Sequence, residues 1–204
     1  MFNGKDLTGW ESIGDGVWYV QQDGTLVGGR RPDRNEPAKG KDTMTRKDYT
    51  GWRDNQAWLY TVRNDFNEFD LHVEFWARPM GNSGVSLRDP TRAKYGVVIP
   101  PDYTKTPSKV GYEIQINNEY PDPHPTGSIY GFMDAKVGAQ KPNDWNSMDI
   151  ESRNDIIRVR LNGVLVAEHP GDPNRPKTGP IGLQLHDQFS VIQFRNIRIK
   201  ELGK

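Results

Sequence analysis

Three absences narrow what this chain of 204 residues can do. It contains no cysteine, which excludes disulfides, thiolate metal ligands and cysteine nucleophiles while leaving the compartment open. Its 27 Lys and Arg residues balance 27 Asp and Glu residues, and no basic run is interleaved with aromatics, so nucleic acid is not an expected partner. The apolar runs are only a few residues long, so no membrane span is predicted.

Helical periodicity is also missing, because no long stretch repeats apolar residues every three to four positions. Instead, short runs that alternate apolar and polar residues recur between turn residues, in a chain with 21 Gly and 15 Pro. This pattern predicts an all-β chain that forms a single domain over residues 1–204. The predicted strands are 18–20, 25–28, 57–61, 69–77, 84–88, 111–117, 128–132, 145–152, 155–161, 164–169, 179–186 and 190–201.

Three predicted strands, at 69–75, 112–116 and 182–186, carry an unusual polar face. Successive strand side chains point to opposite sides, so the apolar residues can fill a core while the polar ones face away from it. Those polar residues are carboxylates, carboxamides and imidazoles: Asp70, His72, Glu74, Glu113, Gln115, Gln184 and His186. This composition is typical of a sugar-binding or acid/base surface, and we expect it to lie on one concave sheet.

A hairpin is predicted at Asn162-Gly163, because a two-residue type I′ turn needs positive φ at both central positions. In the strand before this turn, Arg158 and Arg160 alternate with aliphatic residues, as on an ordinary solvated face. The hairpin is therefore predicted to belong to the opposite, convex sheet.

Three irregular segments, at 30–50, 95–109 and 117–126, are expected to rim the polar face. The first is charged and nearly free of aliphatics, the second carries three prolines, and the third is too rich in proline for a central strand. Loops of this length inside a compact domain are often functional.

An ordered set of motifs spreads over nearly the whole chain, from Phe2 to Leu202. It consists of FNGKDLTGW at 2–10, WLYT at 58–61, NSGVSLR at 82–88, GYEIQI at 111–116, TGSIYG at 126–131 and GPIGLQLH at 179–186. In this order the motifs resemble the 3-keto-disaccharide hydrolase domain family, once called domain of unknown function 1080. The resemblance implies a concanavalin A-like, jelly-roll β-sandwich of two antiparallel sheets. It also implies a periplasmic or secreted glycoside hydrolase. Because no signal peptide opens the chain, a leader is expected to have been removed.

Carried over residue by residue, the resemblance points to a set of site residues. The predicted catalytic residues are His186, Glu113, Glu74 and Arg88, and the predicted substrate-binding residues are Asn82, Ser83, Gln115, Tyr130 and Gln184. The chain departs from the family at Trp76, where the family often has Arg, and it carries a long insert between Arg88 and Gly111. Its pocket is therefore expected to differ from those of its relatives.

Aromatic side chains are expected to contact sugar rings, because an aromatic face against C–H groups removes apolar area from water. The candidates are Trp58 and Trp76, which are added to the substrate-binding set, together with Trp52 and Tyr103. Trp18 and Trp145 are predicted to be core residues.

On neighbouring strands, Glu74 and Glu113 would form the acid and nucleophile of a conventional glycosidase, which needs carboxyls ~5.5 Å or ~6.5–9.5 Å apart. The alternative is that Arg88 holds one carboxylate in a buried structural ion pair. The segment 68–74 resembles the catalytic Glu-x-Asp-x-x-Glu strand of laminarinases only loosely. Its acidic residues are separated by even numbers of positions, so all of them face the same side of the strand. The one-residue bulge that the laminarinase motif requires is therefore missing.

Cleavage of a 3-keto sugar does not require a pair of carboxyl groups, because the carbonyl makes the C2 proton more acidic. Elimination then requires a base, an enolate stabiliser and an acid for the leaving group. His186 is the predicted base, since an unperturbed imidazole with a pKa near ~6.5 suits neutral operation. Arg88 or a metal would stabilise the enolate, and Glu113 or Tyr130 would serve the leaving group. A structural, hydrogen-bonded role for His186 is the plain alternative.

No metal or cofactor is assigned from the sequence. One candidate ligand set is His186, Glu113 and Gln115, and another is Glu119, Asp122 and His124, but neither has diagnostic spacing. A divalent metal, calcium or zinc, stays an open alternative.

These observations predict a carbohydrate-active enzyme that cleaves the glycosidic bond of 3-keto-glycosides, by hydrolysis or by β-elimination. A conventional glycoside hydrolase acting on unoxidised glycan is the first alternative. A non-catalytic, lectin-like carbohydrate-binding domain is the second, because the same scaffold serves lectins. The expected partner is a carbohydrate, and no oligomeric state is predicted.

Overall fold

The computed structural model describes residues 1–30 and 55–202. Its strands are β1 (Trp10–Ile13), β2 (Gly16–Val20), β3 (Leu26–Arg30), β4 (Ala57–Thr61), β5 (Phe69–Ala77), β6 (Gly81–Leu87), β7 (Tyr112–Asn118), β8 (Asn146–Arg153), β9 (Ile156–Leu161), β10 (Val164–His169), β11 (Ile181–Leu185) and β12 (Ile192–Glu201). A short helix, α1 (Pro107–Val110), precedes β7. Trp52 and most of the predicted 30–50 segment lie outside the described residues.

The strands form two antiparallel sheets, which confirms the predicted all-β sandwich. The five-stranded sheet has the order β1-β4-β11-β6-β7, and the seven-stranded sheet has the order β10-β9-β8-β5-β12-β3-β2. Strands that are neighbours in a sheet are often distant in the chain, as β4 and β11 are. The site-bearing β7 lies at one edge of the five-stranded sheet.

Both sheets contribute alternate side chains to one core. β5 from the seven-stranded sheet and β7 from the five-stranded sheet bury Phe69, Leu71, Val73, Phe75, Tyr112, Ile114 and Ile116, each at most 2% exposed. Full burial of such a side chain contributes roughly 1.5–3 kcal/mol relative to exposure. The intervening residues of each strand are therefore left for the two outer faces.

The predicted hairpin is confirmed, with β9 and β10 joined through Asn162 at φ 51° and Gly163 at φ 82°. It belongs to the seven-stranded sheet, as predicted. The outer face of that sheet carries a row of polar side chains, in which Arg160 aligns with Asp149, Asp149 with His72, and His72 with Arg198.

The structure corrects the predicted position of β5. This strand pairs with β8 and β12 in the seven-stranded sheet and does not share a sheet with β7 and β11. Period-2 alternation says which side chains of a strand face the core, but the same alternation fits either sheet of a sandwich. Asp70, His72 and Glu74 therefore lie on the outer face opposite to Glu113.

The predicted strand at 128–132 is wrong. Gly127 and Gly131 adopt φ of 90° and 75°, and the residues between them form turns with isolated bridges from Ile129 to Ile114 and Met133. Backbone in this left-handed region interrupts an extended strand. Within the described ranges no helix is long and apolar enough to cross a bilayer.

Candidate active site

The outer face of the five-stranded sheet forms the floor of a polar cleft. Glu113 and Gln115 project from β7, and the register sets Gln115 beside Gly84 of β6 and Gln184 of β11 beside β4. Two glycines make this floor close-fitting. A Cβ on Gly84 would lie 2.9 Å from Oε1 of Glu113, and a Cβ on Gly182 would lie 2.6 Å from the ring of Tyr60.

The cleft above this floor has a volume of about 290 Å³. Loops on both sides complete it, including the 95–109 segment, which was predicted to rim the site. The lining residues are Gln56, Asn82, Tyr103, Thr106, Ser108, Lys109, Glu113, Gln115, Tyr130 and His186.

Glu113 is a carboxyl group held away from water at the bottom of the cleft, with 4% of its surface exposed. Burial raises its pKa from the ordinary value of 4.5 to about 7, although the charge of His186 and a hydrogen bond from Gln184 act in the opposite direction. That bond runs from Nε2 of Gln184 to Oε1 of Glu113 over 2.7 Å. Near neutral pH the group can therefore both give and take a proton.

His186 follows β11 directly and is oriented by the next residue in the chain. Its Nδ1 lies 3.2 Å from Oδ2 of Asp187. Oδ1 of Asp187 accepts hydrogen bonds from the backbone N–H groups of Phe189 and Ser190, at 2.9 Å each. When Asp187 is charged it favours a proton on Nδ1, which leaves Nε2 as the basic nitrogen.

The charge on Asp187 is secured by its surroundings. Burial alone would raise its pKa, but the hydrogen bond and charge of His186, with hydrogen bonds from Tyr120 and Ser190, outweigh burial and lower the pKa. The ring of Tyr120 also packs edge-on against His186, with ring centroids 5.2 Å apart. These contacts fix the plane of the imidazole.

Several buried amide atoms around the cleft have no hydrogen-bond partner among the described residues. They are Nδ2 and Oδ1 of Asn82, Nε2 and Oε1 of Gln115, and Oε1 of Gln184. Each of these residues is at most 1% exposed. Because an unpaired buried polar atom costs about 1–3 kcal/mol, such a cluster is typical of a site that binds hydroxyl and carbonyl groups.

Tyr130 and Tyr103 both line the cleft. The hydroxyl of Tyr130 donates to Oδ2 of Asp122 at 3.0 Å, and burial together with the Asp122 charge raises its pKa. Its proton is therefore bound more tightly than that of Glu113. Tyr103 is 51% exposed and presents an aromatic ring at the mouth of the cleft.

The structure thus brings Asn82, Glu113, Gln115, Tyr130, Gln184 and His186 of the predicted set to one cleft. Glu74 and Trp76 are elsewhere, on the outer face of the seven-stranded sheet. Glu74 accepts hydrogen bonds from Arg195 at 2.6 Å and Asn196 at 2.7 Å. The prediction that Glu74 and Glu113 lie on neighbouring strands of one sheet is wrong, because β5 and β7 are in different sheets.

Arg88 is also outside the cleft. It directly follows β6 at φ 58°, which breaks the alternation of the strand, and its side chain turns between the sheets. There it donates to Asp155 at 2.8 Å and to Ser152 at 2.7 Å. The predicted structural ion pair of Arg88 exists, but its partner is Asp155 and not Glu74.

Ser83 and Trp58 do not line the cleft either. Oγ of Ser83 donates to the backbone carbonyl of Gln184 at 2.7 Å, so it ties β6 to β11. Trp58 is fully buried beneath the 89–97 loop, where its Nε1 donates to Gln56 at 3.0 Å. Trp145, predicted to be core, is half-buried under the guanidinium of Arg195, whereas Trp18 is buried as predicted.

Sequence reasoning missed Asp187, Gln56 and Lys109 as parts of this site. Asp187 could have been found from the sequence, because it directly follows His186 at a point where the strand has ended. Beyond the end of a strand, consecutive side chains no longer have to point to opposite faces. Lys109 had none, since its place depends on how the loop before β7 folds. Across residues 1–30 and 55–202 no three His, Asp or Glu side chains are grouped as metal ligands.

The domain model for the 3-keto-alpha-glucoside-1,2-lyase-like family matches residues 1–200. The chain belongs to this family. The resemblance predicted from the motifs is thereby confirmed, and membership of the 3-keto-alpha-glucoside-1,2-lyase-like family makes the chain a carbohydrate-active, glycosyl-hydrolase-like domain. No curated protein matches it in a sequence comparison.

Solved structures are similar to the whole of this member of the 3-keto-alpha-glucoside-1,2-lyase-like family. Two are provisionally assigned glycosyl hydrolases from Parabacteroides distasonis, at 24% identity with a TM-score of 0.69 and at 26% identity with a TM-score of 0.67. The first alignment covers 99% of this chain and 92% of the other, and the second covers 98% of each.

A third similar structure is a family 66 carbohydrate-binding module from Bacillus subtilis, at 14% identity with a TM-score of 0.59. That alignment covers 95% of this chain and 96% of the module. At this identity the likeness concerns the fold alone. The concanavalin A-like jelly-roll sandwich predicted for the chain is confirmed.

Proposed function

We propose that this protein cleaves 3-keto-α-glucosides by β-elimination across C1 and C2. The observation that carries the proposal is one cleft that holds Glu113, with a pKa of about 7, together with His186 oriented by Asp187. A buried acid and an oriented base are what removal of a C2 proton and protonation of a leaving oxygen require. The family description, 3-keto-alpha-glucoside-1,2-lyase-like, supports the same bond.

The electron and proton movements can be assigned to these side chains. Nε2 of His186 takes the C2 proton, and the C2–H electron pair forms an enolate with the C3 carbonyl. The enolate then re-forms the carbonyl, C1=C2 forms, and the C1–O bond breaks. Glu113 protonates the departing oxygen, and the products are the free alcohol and a 2-hydroxy-3-keto-glycal.

The unpaired amides support a sugar as the ligand. Asn82 and Gln115 each offer a donor and an acceptor that no described residue satisfies. Sugar hydroxyls are both donors and acceptors, so a bound ring can pair all four atoms without a charge. Tyr103 at the mouth offers an aromatic face for the ring or for the leaving group.

The test is incubation of the purified protein with a 3-keto-α-glucoside and with its unoxidised parent, followed by mass spectrometry. We expect alcohol release from the keto sugar alone, with a sugar product lighter than the free keto sugar by one water. His186→Ala and Glu113→Gln should each lower kcat by about 10²-fold or more. Glu74→Gln is the matched control and should leave kcat unchanged.

Three other outcomes would overturn the proposal in different ways. Free keto sugar as the initial product would assign hydrolysis to the same cleft. Cleavage of the unoxidised parent would assign a conventional glycosidase. Binding of both sugars without release of alcohol from either would assign a carbohydrate-binding domain.

A further inference from the structure

Removal of a proton beside a ketone leaves negative charge on the ketone oxygen. Positive charge or a hydrogen-bond donor aimed at that oxygen lowers the barrier, and a fixed donor is often the largest single contribution to such a step. Arg88, the residue expected to do this from the sequence, is 2% exposed and bound to Asp155 between the sheets. The donor to that oxygen must therefore come from another residue of the cleft.

Among the described residues that line this cleft, Lys109 alone is a lysine or an arginine. Its side chain leaves α1 and runs to Gly131, where a Cβ added to the glycine would lie 4.0 Å from Nζ. Gly131 at φ 75° carries no side chain that would block this path. The ammonium group thus shares the cleft with Glu113 and His186.

No described residue forms an ion pair with Lys109, in contrast to two other lysines of the chain. Lys105, four residues earlier, is paired with Asp102 at 2.9 Å, and Lys177 is bound to Asp155. Glu113, the carboxyl group in the same cleft, favours its neutral form because it is buried. The positive charge of Lys109 therefore stays available to a ligand.

The backbone that carries Lys109 is firmly held. Arg175 donates from Nη1 to the carbonyl of Gly111 at 2.6 Å and to that of Ser108 at 3.3 Å. Its guanidinium also lies over the ring of Phe132, 5.0 Å from the centroid. These contacts fix both sides of Lys109 in the chain, so that its stem starts from a defined position.

We propose that Lys109 is a catalytic residue whose ammonium group stabilises the enolate oxygen at C3 of the substrate. This assignment rests on the proposed elimination and deepens it. In the first half of the reaction the C2 proton goes to His186 and the carbonyl π electrons go to O3, where Lys109 donates a hydrogen bond. In the second half O3 returns to a carbonyl, and Lys109 keeps its proton throughout.

Enolisation can be measured without cleavage. The 3-keto derivative of 1,5-anhydroglucitol has no glycosidic oxygen at C1, so proton NMR in D2O can follow exchange of its C2 proton, resolved from that of the C4 proton, without glycosidic cleavage. We expect Lys109→Met to slow enzyme-catalysed exchange by about 10²-fold, as loss of an oxyanion donor does elsewhere. Lys109→Arg should restore most of the rate, and Lys136→Met, at an exposed position that does not line the cleft, should match the wild type.

A second readout separates the role of Lys109 from that of Glu113. Glu113→Gln should retain C2 exchange but lose cleavage of a 3-keto-α-glucoside, whereas Lys109→Met should lose both in kcat with KM little changed. Exchange by Lys109→Met within threefold of the wild type would overturn the assignment of Lys109 alone. Loss of exchange on chelation, restored by a divalent cation, would overturn it in favour of a metal. Neither exchange nor cleavage by the wild type would overturn the proposed function itself.

Discussion

At the scale of single residues, the cleft contains a carboxyl group whose environment opposes its charge. Glu113 accepts only one hydrogen bond from a described side chain, that of Gln184, and is otherwise enclosed by the floor of the cleft. Glu74 has the opposite environment, since Arg195 and Asn196 stabilise its charged form. Two glutamates of similar sequence context thus acquire different chemistry from the sheet that each strand joins.

The enclosed carboxyl predicts a pH dependence of stability. Between pH 4.5 and about 7 the folded chain keeps a proton that the unfolded chain has lost, so the free energy of unfolding should fall as the pH rises. A pKa difference of this size corresponds to about 3 kcal/mol. Glu113→Gln should remove this fall, and urea denaturation of both proteins at pH 5 and pH 8 measures it.

The control for this prediction is Glu74→Gln. The pKa of Glu74 is lowered, because the hydrogen bonds from Arg195 and Asn196 outweigh burial, so its contribution is lost toward acid pH and not toward alkaline pH. Equal losses of stability from pH 5 to pH 8 in the wild type and in Glu113→Gln would contradict the prediction.

At the scale of elements, two strands shape the cleft through glycines, whose missing side chains leave room for neighbouring groups. Gly84 of β6 lies under the Glu113 carboxyl, and Gly182 of β11 lies under the Tyr60 ring. The Tyr60 hydroxyl in turn donates to Asp89 at 2.9 Å and contacts Ser86 at 3.0 Å. Asp89 then holds the start of the loop that covers this side of the sheet, through the N–H of Ala93 at 2.7 Å.

A methyl group at Gly84 should disturb catalysis more than stability. In Gly84→Ala the new Cβ would lie 2.9 Å from Oε1 and 3.1 Å from Cγ of Glu113, so this side chain must move. Because a displacement of ~1 Å can cost about 10²-fold in rate, we expect kcat to fall by about 10- to 100-fold. Steady-state kinetics and thermal unfolding measured on the same sample test both parts.

Gly29→Ala in β3 is the matched control, since its added Cβ would meet only Val191 at 3.9 Å. It should retain the kcat of the wild type. If Gly84→Ala also retained full kcat, the position of the Glu113 carboxyl would not matter to the reaction.

At the scale of the whole molecule, Arg88 connects the two sheets. It starts at the end of β6 in the five-stranded sheet and reaches Ser152 of β8 in the seven-stranded sheet. Its guanidinium group forms an ion pair with Asp155, and Lys177 also contacts Asp155. Removal of one partner from a buried ion pair costs about 3–5 kcal/mol, and because Lys177 remains beside Asp155 the lower end of that range is expected here.

Arg88→Met is therefore expected to lower the free energy of unfolding by about 3 kcal/mol while kcat of the folded protein stays within twofold of the wild type. Urea denaturation gives the first quantity, and kinetics at a temperature where the variant is folded give the second. Unchanged stability together with a loss of kcat by about 10²-fold or more would instead assign Arg88 a catalytic role.

Much of this architecture could be predicted from the sequence. Alternation in β7 and β11 gave the outward positions of Glu113, Gln115 and Gln184, because those strands are regular and their inner faces are wholly apolar. Alternation failed for Arg88, where one residue at positive φ redirects the side chain. It also could not assign β5 to a sheet, since pairing between strands distant in the chain depends on the packing of the whole sandwich.

The cleft with Glu113 and His186 lies on the outer face of the five-stranded sheet, and Arg160 lies on the opposite outer face, where it lines a separate groove. Arg160, exposed on the far face, lies in a chain that contains no cysteine. Arg160→Cys would therefore introduce the sole thiol, at a point remote from Glu113 and His186. A protein immobilised through that thiol would be anchored in a single orientation, with its cleft directed toward the bulk solution.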